Sequence, residues 1–130
     1  MTARVLIVED EESILLSLEF LLNKEGYTVS TARDGATALR MLVQQAPDLV
    51  LLDVMLPLID GFELCRTIRA DPALGQTRIM LVTARGREAE IARGLALGAD
   101  TYLTKPFSTR DLMQKVRSLL AGTAASGSAD

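Results

Sequence analysis

The stretch Asp48-Leu49-Val50-Leu51-Leu52-Asp53 carries four consecutive apolar side chains between two acidic ones. Successive side chains of a β-strand point to opposite faces of the sheet, so a strand without polar positions is buried on both faces. Such strands occupy the middle of parallel sheets that are covered by helices. The stretch therefore predicts a central parallel strand, with Asp53 directly at its carboxyl end.

Short strand patterns alternate with helical patterns along the rest of the chain. The predicted strands cover residues 4–8, 27–31, 48–52, 78–82 and 101–103. Each is followed by apolar residues at helical spacing; in the fourth helix, Ile91 and Leu95 are expected to face inward. The second strand is the more polar and is expected at an edge of the sheet. The alternation predicts an α/β fold, a doubly wound (βα)5 three-layer sandwich with a parallel sheet.

Length and composition exclude several kinds of protein. The chain has 130 residues, with 14 Lys and Arg against 17 Asp and Glu, and it has no His. Without His there is no imidazole-based nucleophilic catalysis and no imidazole zinc site. The net charge of −3 gives no basic field, so direct nucleic-acid binding is not expected.

The single Cys rules out an internal disulfide and favours a reducing compartment. No apolar run approaches the roughly 18 residues of a membrane span, so no membrane association is expected. The expected location is the cytoplasm. Residues 1–121 are interpreted as one domain. Residues 122–130 are small and polar, and are interpreted as a disordered tail or linker stub.

Polar residues follow four of the five predicted strands. They are Glu9 and Asp10, Asp53, Thr83, and Lys105. Ligands of open parallel sheets bind at the carboxyl ends of the strands, so these side chains are expected in one crevice if the first and third strands are neighbours. Clustered carboxylates suit Mg²⁺, and a lysine with a hydroxyl suits an anion. This combination is typical of phosphoryl transfer, in which a carboxylate acceptor forms an acyl phosphate.

Taken singly, each residue has a simpler interpretation. Glu9 and Asp10 could favour the positive end of the first helix, and Asp53 or Thr83 could cap a loop. Lys105 alone would be a solvated loop lysine. All of these separate interpretations would have to be true of residues at the same edge of the sheet. A shared site is therefore the better hypothesis.

The same residues carry a resemblance to the receiver domains of two-component response regulators. It runs from about Arg4 to Leu120 and rests on five motifs in order: VLIVEDE from Val5, DLVLLDVMLP from Asp48 followed by Asp60-Gly61, Val82-Thr83-Ala84, Gly98-Ala99-Asp100, and Lys105-Pro106-Phe107. The resemblance implies a flavodoxin-like sheet of strand order 2-1-3-4-5 and a cis peptide between Lys105 and Pro106.

The resemblance also implies roles for single residues. Asp53 would be the phosphoacceptor. Glu9, Asp10, Asp53 and the backbone carbonyl of Met55 would hold Mg²⁺. Thr83 and Lys105 would bind the phosphoryl group, and Tyr102 would be the aromatic residue whose rotamer follows Thr83.

The resemblance further implies a regulatory switch rather than an enzyme. A sensor histidine kinase or a histidine phosphotransfer protein would donate the phosphoryl group. The face formed by the fourth helix, fifth strand and fifth helix would then bind a downstream protein target. Relatives that dimerise through this face have a basic residue where this chain has Ile91 and an acidic one where it has Thr101, so a monomer is expected before phosphorylation.

Two other hypotheses stay open from the residues. An Asp-nucleophile phosphatase of the haloacid-dehalogenase type would need a second Asp two residues after the nucleophile, and that position is Met55. A flavodoxin-like nucleotide binder would need a glycine-rich phosphate loop after the first strand, where this chain has carboxylates.

Overall fold

Five strands alternate with five helices in a computed structural model that describes residues 2–56 and 59–128, with side chains up to residue 121. The strands are β1 (Arg4–Val8), β2 (Thr28–Ala32), β3 (Leu49–Asp53), β4 (Arg78–Ala84) and β5 (Thr101–Lys105). The helices are α1 (Glu12–Lys24), α2 (Gly35–Gln44), α3 (Gly61–Ala70), α4 (Glu88–Ala96) and α5 (Thr109–Ser128), and a short 3-10 turn spans Pro72–Leu74.

The five strands form one parallel sheet in the order β2-β1-β3-β4-β5. This confirms the doubly wound, flavodoxin-like α/β prediction, including the position of the polar β2 at an edge. The order also places β1 directly beside β3. The strand ends that carry Glu9 and Asp53 are therefore neighbours, as the crevice hypothesis requires.

Two hydrophobic cores cover the two faces of the sheet. Leu49 and Leu51 of β3 point into the core under α1 and α5, whereas Val50 and Leu52 point into the core under α2 and α3. All five residues of β3 are buried. The prediction of a central strand buried on both faces is confirmed, and Asp53 stands at the end of the most shielded strand.

The inward face of α4 differs from the prediction. Leu95 was expected to face inward, but it is 41% exposed. Gly94 is the buried residue instead, and a Cβ added there would lie 1.9 Å from Cδ1 of Leu81. The helix packs on the sheet through a position that has no side chain, and this turns the neighbouring Leu95 toward solvent.

Three strands extend further than the sequence indicates. β3 includes Asp53, β4 runs to Ala84 and β5 runs to Lys105. Asp53 and Lys105 are therefore the last residues of their strands, and Thr83 is the next to last, so none of the three is a loop residue. Their backbones are fixed by hydrogen bonds to the neighbouring strands, which restricts where their side chains can lie.

Some predictions concern parts that the structure does not describe. Pro57 lies outside the described residues. The predicted tail, residues 122–130, falls partly in the last turns of α5 and partly outside the described residues, and its disorder stays a prediction. Among the described helices, none combines the length and the apolarity that crossing a membrane requires.

Gly61 allows α3 to begin directly against the end of β3. A Cβ added at this position would lie 2.5 Å from the carbonyl oxygen of Asp53 and 2.7 Å from Cα of Val54. Both are backbone atoms, so no side-chain rotation can relieve the contact. The N-cap Asp60 fixes the same helix end by accepting a hydrogen bond from the backbone N–H of Glu63 at 2.8 Å.

We expect Gly61→Ala to lower the free energy of unfolding by about 1–3 kcal/mol, the usual effect of forcing a methyl group into a closed contact. The measurement is urea unfolding followed by circular dichroism.

Gly75→Ala is the matched control, because its Cβ would meet the carbonyl oxygen of Pro72 at an ordinary 3.4 Å. This control is expected to change stability by less than about 0.5 kcal/mol. Equal unfolding midpoints for Gly61→Ala and the natural protein would contradict the close approach.

Candidate functional site

The parallel register of β1 and β3 brings three carboxylates together. Val8 pairs with Leu52, so Glu9 and Asp10 leave β1 at the level where Asp53 ends β3. Each of the three acidic residues offers an oxygen, and these oxygens lie within 4.8 Å of one another. Glu9 and Asp53 are buried, and Asp10 is exposed. The structure thus places the predicted acidic residues in one cluster.

Lys105 faces this cluster from the end of β5. Its Nζ lies 3.2 Å from Oε1 of Glu9 and 3.3 Å from Oδ2 of Asp53. Partial burial of the ammonium lowers its pKa, but Asp53 and Glu9 more than offset this and hold the pKa of Lys105 above its usual range. The lysine is therefore a permanent positive charge beside the two buried carboxylates.

Glu9 is the most buried member of the cluster, with 1% of its surface exposed. Its Oε2 accepts a hydrogen bond from the backbone N–H of Glu11 at 3.0 Å. Its Oε1 is buried and makes no well-aligned hydrogen bond among the described residues, although the Lys105 ammonium lies 3.2 Å from it. Burial raises the pKa of Glu9 to about 7; the bond from Glu11 opposes this rise and the nearby Asp53 adds to it.

Asp53 is held from both sides at the end of β3. Oδ1 accepts a hydrogen bond from the backbone N–H of Met55 at 2.9 Å, and Oδ2 faces Lys105. The residue is 4% exposed. The side chain of Met55 is exposed, while its backbone turns back onto the Asp53 carboxylate. The predicted role of the Met55 carbonyl as a metal ligand stays a prediction.

Thr83 lies near the end of β4, one residue beyond the partner of Asp53 in the sheet. It is 2% exposed, and its hydroxyl donates a hydrogen bond to Oε1 of Glu90 in α4 at 3.2 Å. Glu90 belongs to none of the motifs that the sequence carries. Glu90 follows Thr83 by seven positions, and a contact between the two can be predicted only when the face of α4 that packs on the sheet is known.

Tyr102 of β5 is half-buried and packs against the core under α2 and α3. The ammonium of Lys115 lies 4.4 Å from the centre of its ring, a cation–π contact, and also donates a hydrogen bond to its backbone carbonyl. The peptide between Lys105 and Pro106 is cis, as the resemblance implied. The structure thus places Tyr102 on the same strand as Lys105.

The donor set fits a hard divalent cation. Three carboxylates converge, and the single ammonium of Lys105 faces two of them, so negative charge is left over for a further cation to neutralise. Mg²⁺ uses one or two carboxylates and retains several waters, which suits a cluster open on the side of Asp10. Lys105 then supplies a charge for an anion bound at Asp53.

The chain matches the family model of the response regulator receiver domain over residues 5–117. It belongs to this family. The chain is also 45% identical over 120 residues to the phosphate regulon transcriptional regulatory protein PhoB of Rhizobium meliloti (strain 1021). That match covers 92% of this chain and 53% of PhoB, so the chain spans about half the length of this relative.

Two solved structures with about 30% sequence identity to this chain have the same fold. The chemotaxis response regulator CheY4 of Vibrio cholerae has a TM-score of 0.87 and 32% identity, covering 92% of this chain and 100% of that one. The receiver domain of the sensor histidine kinase PA1611 from Pseudomonas aeruginosa PAO1 has a TM-score of 0.85 and 30% identity, covering 93% and 99%. A magnesium ion is coordinated in the active-site cleft of the PA1611 domain.

Family membership decides between the hypotheses that the residues left open. Receiver domains are regulatory switches of two-component systems rather than enzymes, and those of response regulators interact with histidine kinases. The phosphatase and nucleotide-binder hypotheses lose their support. In this chain Glu9, Asp10 and Asp53 form a cluster that could hold a metal ion, and the similar PA1611 domain coordinates magnesium in its active-site cleft.

Glu9 is expected to limit stability above neutral pH in the absence of metal. Its pKa is about 7 when folded, against 4.5 for the free side chain. Below the lower value it is protonated in both states; above the higher value the folded state carries a buried charge. Glu9→Gln should therefore raise the free energy of unfolding by about 1–3 kcal/mol at pH 8, and the gain should shrink at pH 5.

Urea unfolding at both pH values, with a chelator present, measures this effect. Glu12→Gln is the control, since it removes the same charge from an exposed position of α1 and should change stability by less than about 0.5 kcal/mol. A gain for Glu9→Gln that is equal at pH 5 and pH 8, or a loss at pH 8, would contradict the assignment.

Proposed function

We propose that Asp53 accepts a phosphoryl group from a histidine kinase or a histidine phosphotransfer protein, and that this receiver domain then binds a downstream protein differently. The observation that carries the proposal is the buried Asp53 carboxylate, 3.3 Å from the Lys105 ammonium and grouped with two further carboxylates. A phosphoryl anion needs an acceptor oxygen, a nearby cation and a shielded position, and this edge of the sheet offers all three.

In the proposed reaction an oxygen of Asp53 forms a bond to phosphorus. The bond from phosphorus to the donor's imidazole nitrogen breaks, and that nitrogen keeps the electron pair. Glu9, Asp10, Asp53 and the Met55 carbonyl would hold Mg²⁺, which when bound neutralises charge on the phosphoryl oxygens. The Met55 N–H fixes Oδ1 of Asp53 by a 2.9 Å hydrogen bond, so the carboxylate keeps one orientation.

Lys105 and Thr83 would bind the product. The Lys105 ammonium already contacts Oδ2 of Asp53, and a phosphoryl group on that aspartate would offer it stronger negative charge. The Thr83 hydroxyl stands one position further along the neighbouring strand and would donate to the same group. Both side chains lie at strand ends, so only their side-chain torsions need to change.

The signal would leave the site through α4, β5 and α5. Thr83 contacts α4 through Glu90, and Tyr102 contacts α5 through Lys115. Movement of Thr83 toward the phosphoryl group would free space for Tyr102 to turn inward, which alters this face for a partner. A monomer before phosphorylation, with the domain ending near residue 121, completes the proposal.

Acetyl phosphate with Mg²⁺ is expected to add one phosphoryl group to the natural protein, and none to Asp53→Asn. Intact-mass spectrometry measures the adduct directly. Omission of Mg²⁺ should also abolish it, since the clustered carboxylates alone repel the incoming anion.

Asp48→Asn is the matched control, because Asp48 directly precedes β3 and lies at the opposite end of this strand from Asp53. It removes the same charge and is expected to leave the adduct unchanged. An adduct that persists in Asp53→Asn would show that another residue is the acceptor, and the proposal would be wrong.

A further inference from the structure

The hydroxyl of Thr83 already has a partner in this structure. Glu90, in the first turns of α4, accepts its hydrogen bond through Oε1 at 3.2 Å. The other oxygen, Oε2, lies 3.3 Å from a guanidinium nitrogen of Arg87. An ionised carboxylate can only accept, so the threonine is the donor. Thr83 is buried, and Glu90 satisfies its one donor.

The packing of α4 makes this contact a consequence of the fold. Gly94 seats the helix against Leu81 of β4, since a Cβ there would lie 1.9 Å from Cδ1 of Leu81. Glu90 stands four positions before Gly94, on the same face of the helix, and Thr83 stands two positions after Leu81, on the same face of the strand. Four helical residues and two strand residues each span roughly 6 Å. The seat at Gly94 therefore places Glu90 opposite Thr83.

A threonine hydroxyl has one proton, so it cannot donate to Glu90 and to a phosphoryl group at the same time. We propose that Glu90 is a positioning residue that acts through Thr83: its carboxylate competes with the phosphorylated Asp53 for the Thr83 hydroxyl and favours the unphosphorylated arrangement. This inference rests on the proposed function, because it requires the phosphoryl group to be bound at Asp53.

The length of the contact suits an exchangeable bond. Hydrogen bonds from a hydroxyl to a carboxylate are usually shorter than about 2.8 Å, so 3.2 Å marks a weak one. A phosphoryl oxygen can therefore outcompete it. Once released, Glu90 keeps its neighbour Arg87 but loses its link to the sheet. The competition thus transmits the state of Asp53 to the first turns of α4.

Beryllofluoride, which binds aspartate as a mimic of the phosphoryl group, tests the competition. The probe is titrated with Mg²⁺ into isotope-labelled protein, and amide resonances measure its apparent Kd. Glu90→Ala should bind the mimic about two- to tenfold more tightly, the factor equivalent to one net hydrogen bond lost from the free state alone. Its free-state resonances for Thr83 and α4 should also shift toward their positions in the bound natural protein.

A double-mutant cycle separates this role from a general effect on the helix. In a Thr83→Ala background, Glu90→Ala should no longer change the affinity, since the hydroxyl through which it acts is gone. Glu90→Gln keeps an acceptor oxygen and should stay within about twofold of the natural protein. Glu88→Ala removes the same charge from the first turn of α4 and should leave the affinity unchanged. Urea midpoints establish that each variant is folded.

The outcomes are distinct. Tighter binding in Glu90→Ala that disappears in the Thr83→Ala background supports the proposal. Unchanged or weaker binding in Glu90→Ala, an equal gain with Thr83 absent, or an equal gain in Glu90→Gln or Glu88→Ala would overturn it while leaving Asp53 as the acceptor. If the natural protein itself does not bind the mimic, the proposed function and this inference are both wrong.

Discussion

One ammonium group in contact with two buried carboxylates is the interaction on which the candidate site depends. Nζ of Lys105 lies 3.2 Å from Glu9 and 3.3 Å from Asp53. Removing the Lys105 ammonium would leave both buried carboxylates without a compensating charge, and breaking a buried ion pair in this way typically costs about 3–5 kcal/mol. Such a group needs a rigid support, and the two hydrophobic cores that bury β3 on both faces provide it. The acidic cluster thus lowers the stability of the fold, and the hydrophobic cores on both faces of the sheet offset this loss.

The sequence predicted this edge of the sheet well because strand ends are visible in it. The apolar run before Asp53 stops at an acidic residue, and the run before Glu9 does the same. Parallel strands carry their carboxyl ends to one edge, so these side chains had to be close if their strands were neighbours. The strand order itself came from the family resemblance. Alternating strands and helices are compatible with several orders, and no single residue fixes which strands pair.

The orientation of α4 could not be predicted from hydrophobic spacing. That spacing assigns inward positions to large apolar residues, so it selected Leu95, and it treats Gly94 only as a residue that weakens a helix. In the structure the glycine makes the closest approach to Leu81, and its missing side chain decides which face packs. The partnership of Thr83 and Glu90 depends on that face. It was therefore missed for the same physical reason.

The unphosphorylated arrangement is held by specific contacts rather than left free. Thr83 donates to Glu90, Lys105 contacts the two buried carboxylates, and Lys115 covers the ring of Tyr102. Each group that the proposed switch moves thus has a partner to leave. Inverting a two-state population from 1:99 to 99:1 requires about 5.5 kcal/mol, and one hydrogen bond contributes only about 0.5–1.5 kcal/mol net. No single contact can set such a switch, so a phosphoryl group must exchange several of them together, and their position on three adjoining elements makes that concerted exchange possible.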